Sequence, residues 1–171
     1  PYNNVETVYD NGAGYWQHTL KYDFLMLAEG ELLLEQLTRL RGPVGMLLMK
    51  DWNYSPKSAW SGAPVVNGNN QEGAQLAVRG LGANKTYYAG DRFQLGNRLF
   101  QILTTTASDG AGNAIFPIFP SLRESPADGT ALEYNDPRCL MYWSNHQQMP
   151  AFDGNRRVIR NVSLTFREAL R

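Results

Sequence analysis

The sequence predicts a mainly β protein: a β-sandwich-like sheet with one helix packed on it, plus a small β-barrel-like insertion. Three observations predict this. Long stretches near both ends alternate apolar and polar side chains. A single leucine-rich stretch repeats at helical spacing. The middle of the chain is a run of short apolar segments parted by glycine, asparagine and aspartate turns.

Trp16, His18, Leu20, Tyr22 and Phe24 alternate with Gln17, Thr19, Lys21 and Asp23, so residues 15–26 read as a strand with one face buried. Leu33, Leu37 and Leu40 then recur on one helical face. Glu29 and Glu31 stand in the first turn and Arg39 and Arg41 in the last, the arrangement a helix dipole favours. Gly42-Pro43 is a stop signal, so the helix is expected over 28–41, followed by a short strand from Val44 to Met49. Residues 51–72 are rich in turn formers and carry Trp52, Tyr54 and Trp60. They read as a long loop or arm, and a loop beyond about 15 residues is usually functional or disordered.

Short strands are expected at 75–79, 92–95, 131–135 and 139–144. Residues 97–105 and 113–119 should form a hairpin across Ser108-Asp109-Gly110-Ala111-Gly112. Residues 145–155 read as a polar loop. In the closing strand, Val158, Val162, Leu164 and Phe166 alternate with Ile159, Asn161, Ser163 and Thr165, and this strand could pair with the early one. The expected organisation is a sheet-plus-helix core from 1–50 and 137–171, an arm at 51–72 and a barrel-like insertion at 73–136.

Lys plus Arg number 16 and Asp plus Glu number 16, so the net charge is zero. That balance gives no general pull toward nucleic acid or anionic membrane. It also removes repulsion between identical copies. One cysteine, Cys139, excludes an internal disulfide framework and a multi-cysteine zinc site, and in Arg138-Cys139-Leu140-Met141 it reads as a small buried hydrophobe. No apolar run approaches the roughly 20 residues of a membrane span, and no basic-then-apolar signal segment opens the sequence.

No constellation for catalysis, metal or cofactor emerges. His18 and His146 are far apart; the first sits in a strand register and the second in a polar loop. There is no Gly-x-Ser-x-Gly and no His-Glu-x-x-His. Glu29, Glu31 and Glu35 belong to the helix, and Asp91, Asp109 and Asp128 each sit in a glycine turn that explains them. Asp109 to Asn113 lacks the alternate oxygens and closing Glu of a calcium loop. Asn84-Lys85-Thr86 and Asn161-Val162-Ser163 fit the glycosylation triplet, a pattern that arises often by chance.

A stretch of motifs occurs in order: Ala89-Gly90-Asp91-Arg92-Phe93-Gln94-Leu95-Gly96, Arg98-Leu99-Phe100-Gln101-Ile102, Asp109-Gly110-Ala111-Gly112-Asn113-Ala114 and Pro120-Ser121-Leu122-Arg123-Glu124-Ser125-Pro126-Ala127-Asp128-Gly129. This resembles a family of tail proteins in phages and prophages of Gram-negative bacteria. Leu37 to Gly45, Pro64 to Gly68 and Ser163 to Leu170 are similar to the outer parts of those proteins. The resemblance implies a tail-tip or baseplate component similar to distal tail proteins. Those form a ring, often of six subunits, that joins the tail tube to the adsorption apparatus. It implies copies of the chain and other tail proteins (tube, hub, fibres) as partners, a virion location after assembly in the host cytoplasm, and no catalytic residues. The tyrosine- and asparagine-rich stretch from Pro1 to Tyr15 departs from the family pattern.

Trp52, Tyr54 and Trp60 are side chains of the kind that anchor interfaces, and they are expected either on a neighbouring subunit or capping the chain's own core. Arg156, Arg157 and Arg160, with Arg167 nearby, form either a solvated strand face or one side of inter-subunit salt bridges. Two other functions remain open: a host-surface glycan-binding module using exposed aromatics, and a wall or glycan hydrolase.

Overall fold

The structure is a computed structural model and describes residues 14–147, 149, 150, 152, 153 and 158–170. It is mainly β with one helix. In chain order the elements are β1 (Gln17–Met26), α1 (Leu27–Leu40), β2 (Met46–Lys50), β3 (Gly62–Val66), β4 (Gly73–Leu81), β5 (Thr86–Tyr87) and β6 (Arg92–Leu95). Then come β7 (Arg98–Ile102), β8 (Thr106–Ala107), β9 (Ala114–Leu122), β10 (Leu132–Glu133), β11 (Arg138–Trp143), β12 (Phe152–Asp153) and β13 (Val158–Glu168). The chain divides into two compact units. A sheet–helix unit comprises Tyr15–Ser55, Phe93–Leu99 and the described residues from Glu133 onward; a barrel unit comprises Pro56–Arg92 and Phe100–Leu132, with Gly14.

The sheet–helix unit is built on the strand order β1-β13-β11-β2, with β12 also paired to β13. The two long alternating strands do pair, antiparallel, from Gln17 opposite Arg167 to Met26 opposite Val158. Their inner faces, with Leu37 and Leu33 from α1, enclose Met141, Trp143, Val162, Leu164 and Phe166, and Cys139 is buried there as expected. Burial and the nearby Glu168 carboxylate push its thiol up to about 12.

The alternation does not run the whole length of either strand. Asp23 and Phe24 are both exposed, as are Arg160 and Asn161, and Leu25 and Ile159 turn inward instead. Asn161 takes a left-handed backbone (φ 51°), which asparagine tolerates better than most residues. It lies between the pairs Tyr22–Val162 and Phe24–Arg160, so the facing phase changes on both strands at that level. Phe24, expected on the buried face, is therefore on the outside.

Helix α1 starts one residue earlier than the periodicity suggested. The Glu29 carboxylate accepts the Met26 backbone N–H at 3.1 Å, satisfying one of the donors a helix start leaves open. Arg41 ends it in a left-handed conformation and donates its N–H to Thr38 O.

The six-stranded sheet has the order β10-β6-β7-β9-β4-β3, of which β9, β4 and β3 lie wholly in the barrel unit. Closure comes from the far side. Val65 bridges Ala131, Val66 donates to Thr130 O, and Gly129 donates to Val66 O, so the β3 edge is covered. Val66, Leu76, Val78, Tyr87, Ile102, Phe116 and Ile118 fill the interior.

Two sequence readings need correcting. The stretch 51–72 is not one loop, because β3 lies inside it. Its ladder with β4 skips Ala63 and Pro64, which lets a proline without an N–H sit in a strand. The strands come close there: a Cβ on Gly62 would stand 2.2 Å from Gly80 O, and one on Gly80 would stand 2.5 Å from Ala63 O. Second, Phe93–Leu99 belongs to the sheet–helix unit, not the insertion. Arg138 N–H donates to Gln94 Oε1 (2.8 Å), Leu140 N–H to Asn97 O (2.9 Å) and Trp16 Nε1–H to Leu99 O (2.8 Å). Strands β5 and β8 pair with each other, and β12 lies in the stretch read as polar loop. Elements of two residues are too short to show any period.

Candidate functional site

The three aromatics grouped by sequence go to different places. In the sheet–helix unit, the Asp51 side chain accepts the Asn53 N–H (3.0 Å) and Tyr54 N–H donates to Asp51 O (3.1 Å). This tight turn holds Trp52 out, 58% exposed, with its ring 5.7 Å from the half-buried His18 ring. Tyr54 lines a small cavity of about 130 Å³ with Lys50, Asn135 and Asp136.

Trp60 belongs to the barrel unit. It packs edge-on against Tyr87 (4.8 Å) and Phe116 (6.0 Å), so it is a lid on its own unit's core. The chain before it is fastened by the fully buried Asp91. The backbone N–H groups of Lys57 and Ser58 donate to its two carboxylate oxygens at 2.7 and 3.0 Å. Lys57 Nζ donates to Ala89 O at 2.9 Å, and Ser58 Oγ accepts the Tyr88 N–H at 2.8 Å. Asp91 itself is held in place by Ile102 N–H donating to its carbonyl.

The other motif aspartates also hold turns. Asp109 accepts Ala111 N–H and Asn113 N–H, both at 2.8 Å, and the Asn113 bonds hold its carboxyl below its usual range. Asp128 is clamped by Arg79 and accepts the Gly68 N–H at 2.7 Å, while its own N–H donates to Asn69 Oδ1. The Arg79 hydrogen bond is the main reason its carboxyl is lowered to about 2. Its folded pKa lies below the unfolded one, so its stabilising contribution is present above 3.8 and is lost as pH falls through about 2. An NMR titration should place the Asp128 carboxyl near 2 in the parent and nearer 3.8 in Arg79→Leu; an unmoved midpoint would refute the clamp.

Arg160 is exposed and faces Phe24 across the β1–β13 pair. Arg156 and Arg157 lie outside the described residues. Arg167 stacks on Tyr15, its Cζ 3.7 Å from the ring centroid. His146, expected at the surface, is half-buried against Trp143, beside Gly42. Among the described residues no group of three or more His, Cys, Asp or Glu is placed to hold a metal ion, and no helix is long and apolar enough to cross a membrane.

The feature that sequence reasoning missed is at the margins of the four-stranded path. Strands β1 and β2 are its two ends. Phe24 (59% exposed) and Met26 (57%) mark one, and Met46 (42%) and Leu48 (44%) the other. One signal was present: Arg160 interrupts the apolar register of the closing strand while Ile159 falls off it. No protein-family model and no curated protein matches the chain.

Proposed function

We propose that this chain is a structural subunit of a bacteriophage tail, closing with copies of itself into a ring of the distal tail or baseplate kind that links the tail tube to the adsorption apparatus. The observation that carries the reading is the pair of strands, β1 and β2, that end the sheet path among the described residues. Successive pairings β1–β13, β13–β11 and β11–β2 are all antiparallel, so β1 and β2 run in opposite directions. A second copy's β1 laid beside β2 continues the alternation. Exposed hydrogen-bonding edges with apolar side chains recruit strands. A head-to-tail contact of this kind makes a ring when its rotation closes.

Two further points support it. The net charge of zero does not oppose packing of copies. The aspartates in the motifs that carry the family resemblance fix backbone: Asp109 accepts the N–H groups of its own turn, while Asp91 and Asp128 accept those of distant segments at Lys57, Ser58 and Gly68. The reading needs no catalytic residue and no cofactor. It moves the expected contact from Trp60, which packs on its own unit, to Met46, Leu48, Phe24 and Met26.

The test is assembly. Analytical ultracentrifugation and negative-stain imaging of the purified chain should show closed rings of several 19.2 kDa copies. The variant Met46→Lys with Leu48→Lys should stay folded, within about 1 kcal/mol since both sites are surface positions, yet remain a monomer. A parent chain that is monomeric at every concentration, or a double variant that still forms rings, would overturn the proposal.

A further inference from the structure

We infer that the surface around Trp52 is a subsite for a neutral oligosaccharide. The inference does not rest on the ring: Leu48 is common to both surfaces, but Trp52, Tyr54 and Asp136 belong to this one alone, and sugar binding and assembly are measured separately.

The indole is exposed and stands on a backbone pinned by its neighbours. The Asp51 turn sets its backbone and the His18 ring backs it at 5.7 Å. A platform held in place loses little freedom when something stacks on it. Two small cavities share Lys50 and Trp52. One, of about 130 Å³, is edged by Asp51, Tyr54, Asn135 and Asp136; the other, of about 200 Å³, by Leu47, Leu48, Met49 and Arg138. Each is smaller than the roughly 300–1,000 Å³ of a drug-sized pocket, so each suits a single small ring. Their common border at Trp52 suits two linked rings.

The polar groups select the class. Asp136 sits between Lys50 Nζ (3.4 Å) and Arg138 Nη2 (2.5 Å), both of them about half-exposed. Lys50 and Arg138 are balanced by Asp51 and Asp136, so no positive charge is left over for a phosphate or a sugar acid. What remains is a set of alternating donors and acceptors beside an apolar plane. A pyranose matches it: its C–H face lies on the indole, and its hydroxyls both donate to and accept from the charged fork. A nucleotide could stack on the indole but would find no counter-charge for its phosphate.

Isothermal titration of the full chain with cellobiose, maltose, lactose and N,N′-diacetylchitobiose tests this, with uridine monophosphate as the charged stacking probe. At least one disaccharide should bind saturably with a dissociation constant of about 1 mM, the ordinary strength of one small site. Trp52→Ala should weaken that binding about tenfold or more, Trp52→Phe should keep most of it, and Asp136→Asn should weaken it too. Failure of every disaccharide to saturate, unchanged binding in Trp52→Ala, or tighter binding of the nucleotide than of any sugar would overturn the inference.

Discussion

Replacing Asp91 with alanine is expected to destabilise the chain by about 3–5 kcal/mol and to release the segment before Trp60. The carboxylate is fully buried and is the acceptor for two backbone N–H groups, those of Lys57 and Ser58. Alanine leaves both donors facing a space with no oxygen. The Ser58 donor is buried and the Lys57 donor part-buried; an unmet buried donor costs about 1–3 kcal/mol, and hydrogen bonds to a charged group are stronger than neutral ones. Asp91→Asn keeps one acceptor oxygen and should lose roughly half as much. Urea midpoints measure the stability, and limited proteolysis of residues 55–61 measures the release. If Asp91→Ala unfolds at the parental midpoint and is cut no faster, the carboxylate does not hold that segment.

Trp143→Ala should cost a similar amount for a different reason. Trp143 is 1% exposed, sits in β11 opposite Phe166, and belongs to the core beneath α1. Truncating a buried tryptophan removes contacts on all sides and leaves a void, at about 3–5 kcal/mol. Its Nε1–H also donates to Asn145 Oδ1 at 2.8 Å. That same oxygen accepts the Thr165 N–H at 2.7 Å, and Asn145 Nδ2 donates to Ser163 O. The indole thus steadies a side chain that fastens the β11 end to β13. Trp143→Phe fills most of the volume and should cost about half. Against a total of about 5–15 kcal/mol, the alanine variant should show a large fall in urea midpoint. A loss below about 1 kcal/mol would mean the core closes over the gap.

Much of the fold could be read from local pattern. Strand β1, helix α1 and strand β13 are long enough for period and end signals to speak, and the β1–β13 pairing was anticipated. The Asp109 turn was legible because an Asp four residues before Asn, with glycines between, has a local use for its oxygens. The candidate site was less legible. Trp52, Tyr54 and Trp60 look equivalent in sequence, yet one is exposed, one edges a cavity and one seals a core. Asp91 looked like any glycine-turn aspartate, because its partners lie 33 and 34 residues away.

The sequence by itself determined the longer elements, the two long strands and the one helix, and the Asp109 turn, since these depend on residues within a turn or two of each other. Tertiary structure alone decided which strands end the sheet, which apolar side chains stay outside, and which segment joins which unit. A single left-handed residue, Asn161, changes the facing of Phe24 and Leu25 on another strand. The physical reason is that exposure is a property of the neighbour across the ladder, and a linear pattern carries no record of that neighbour.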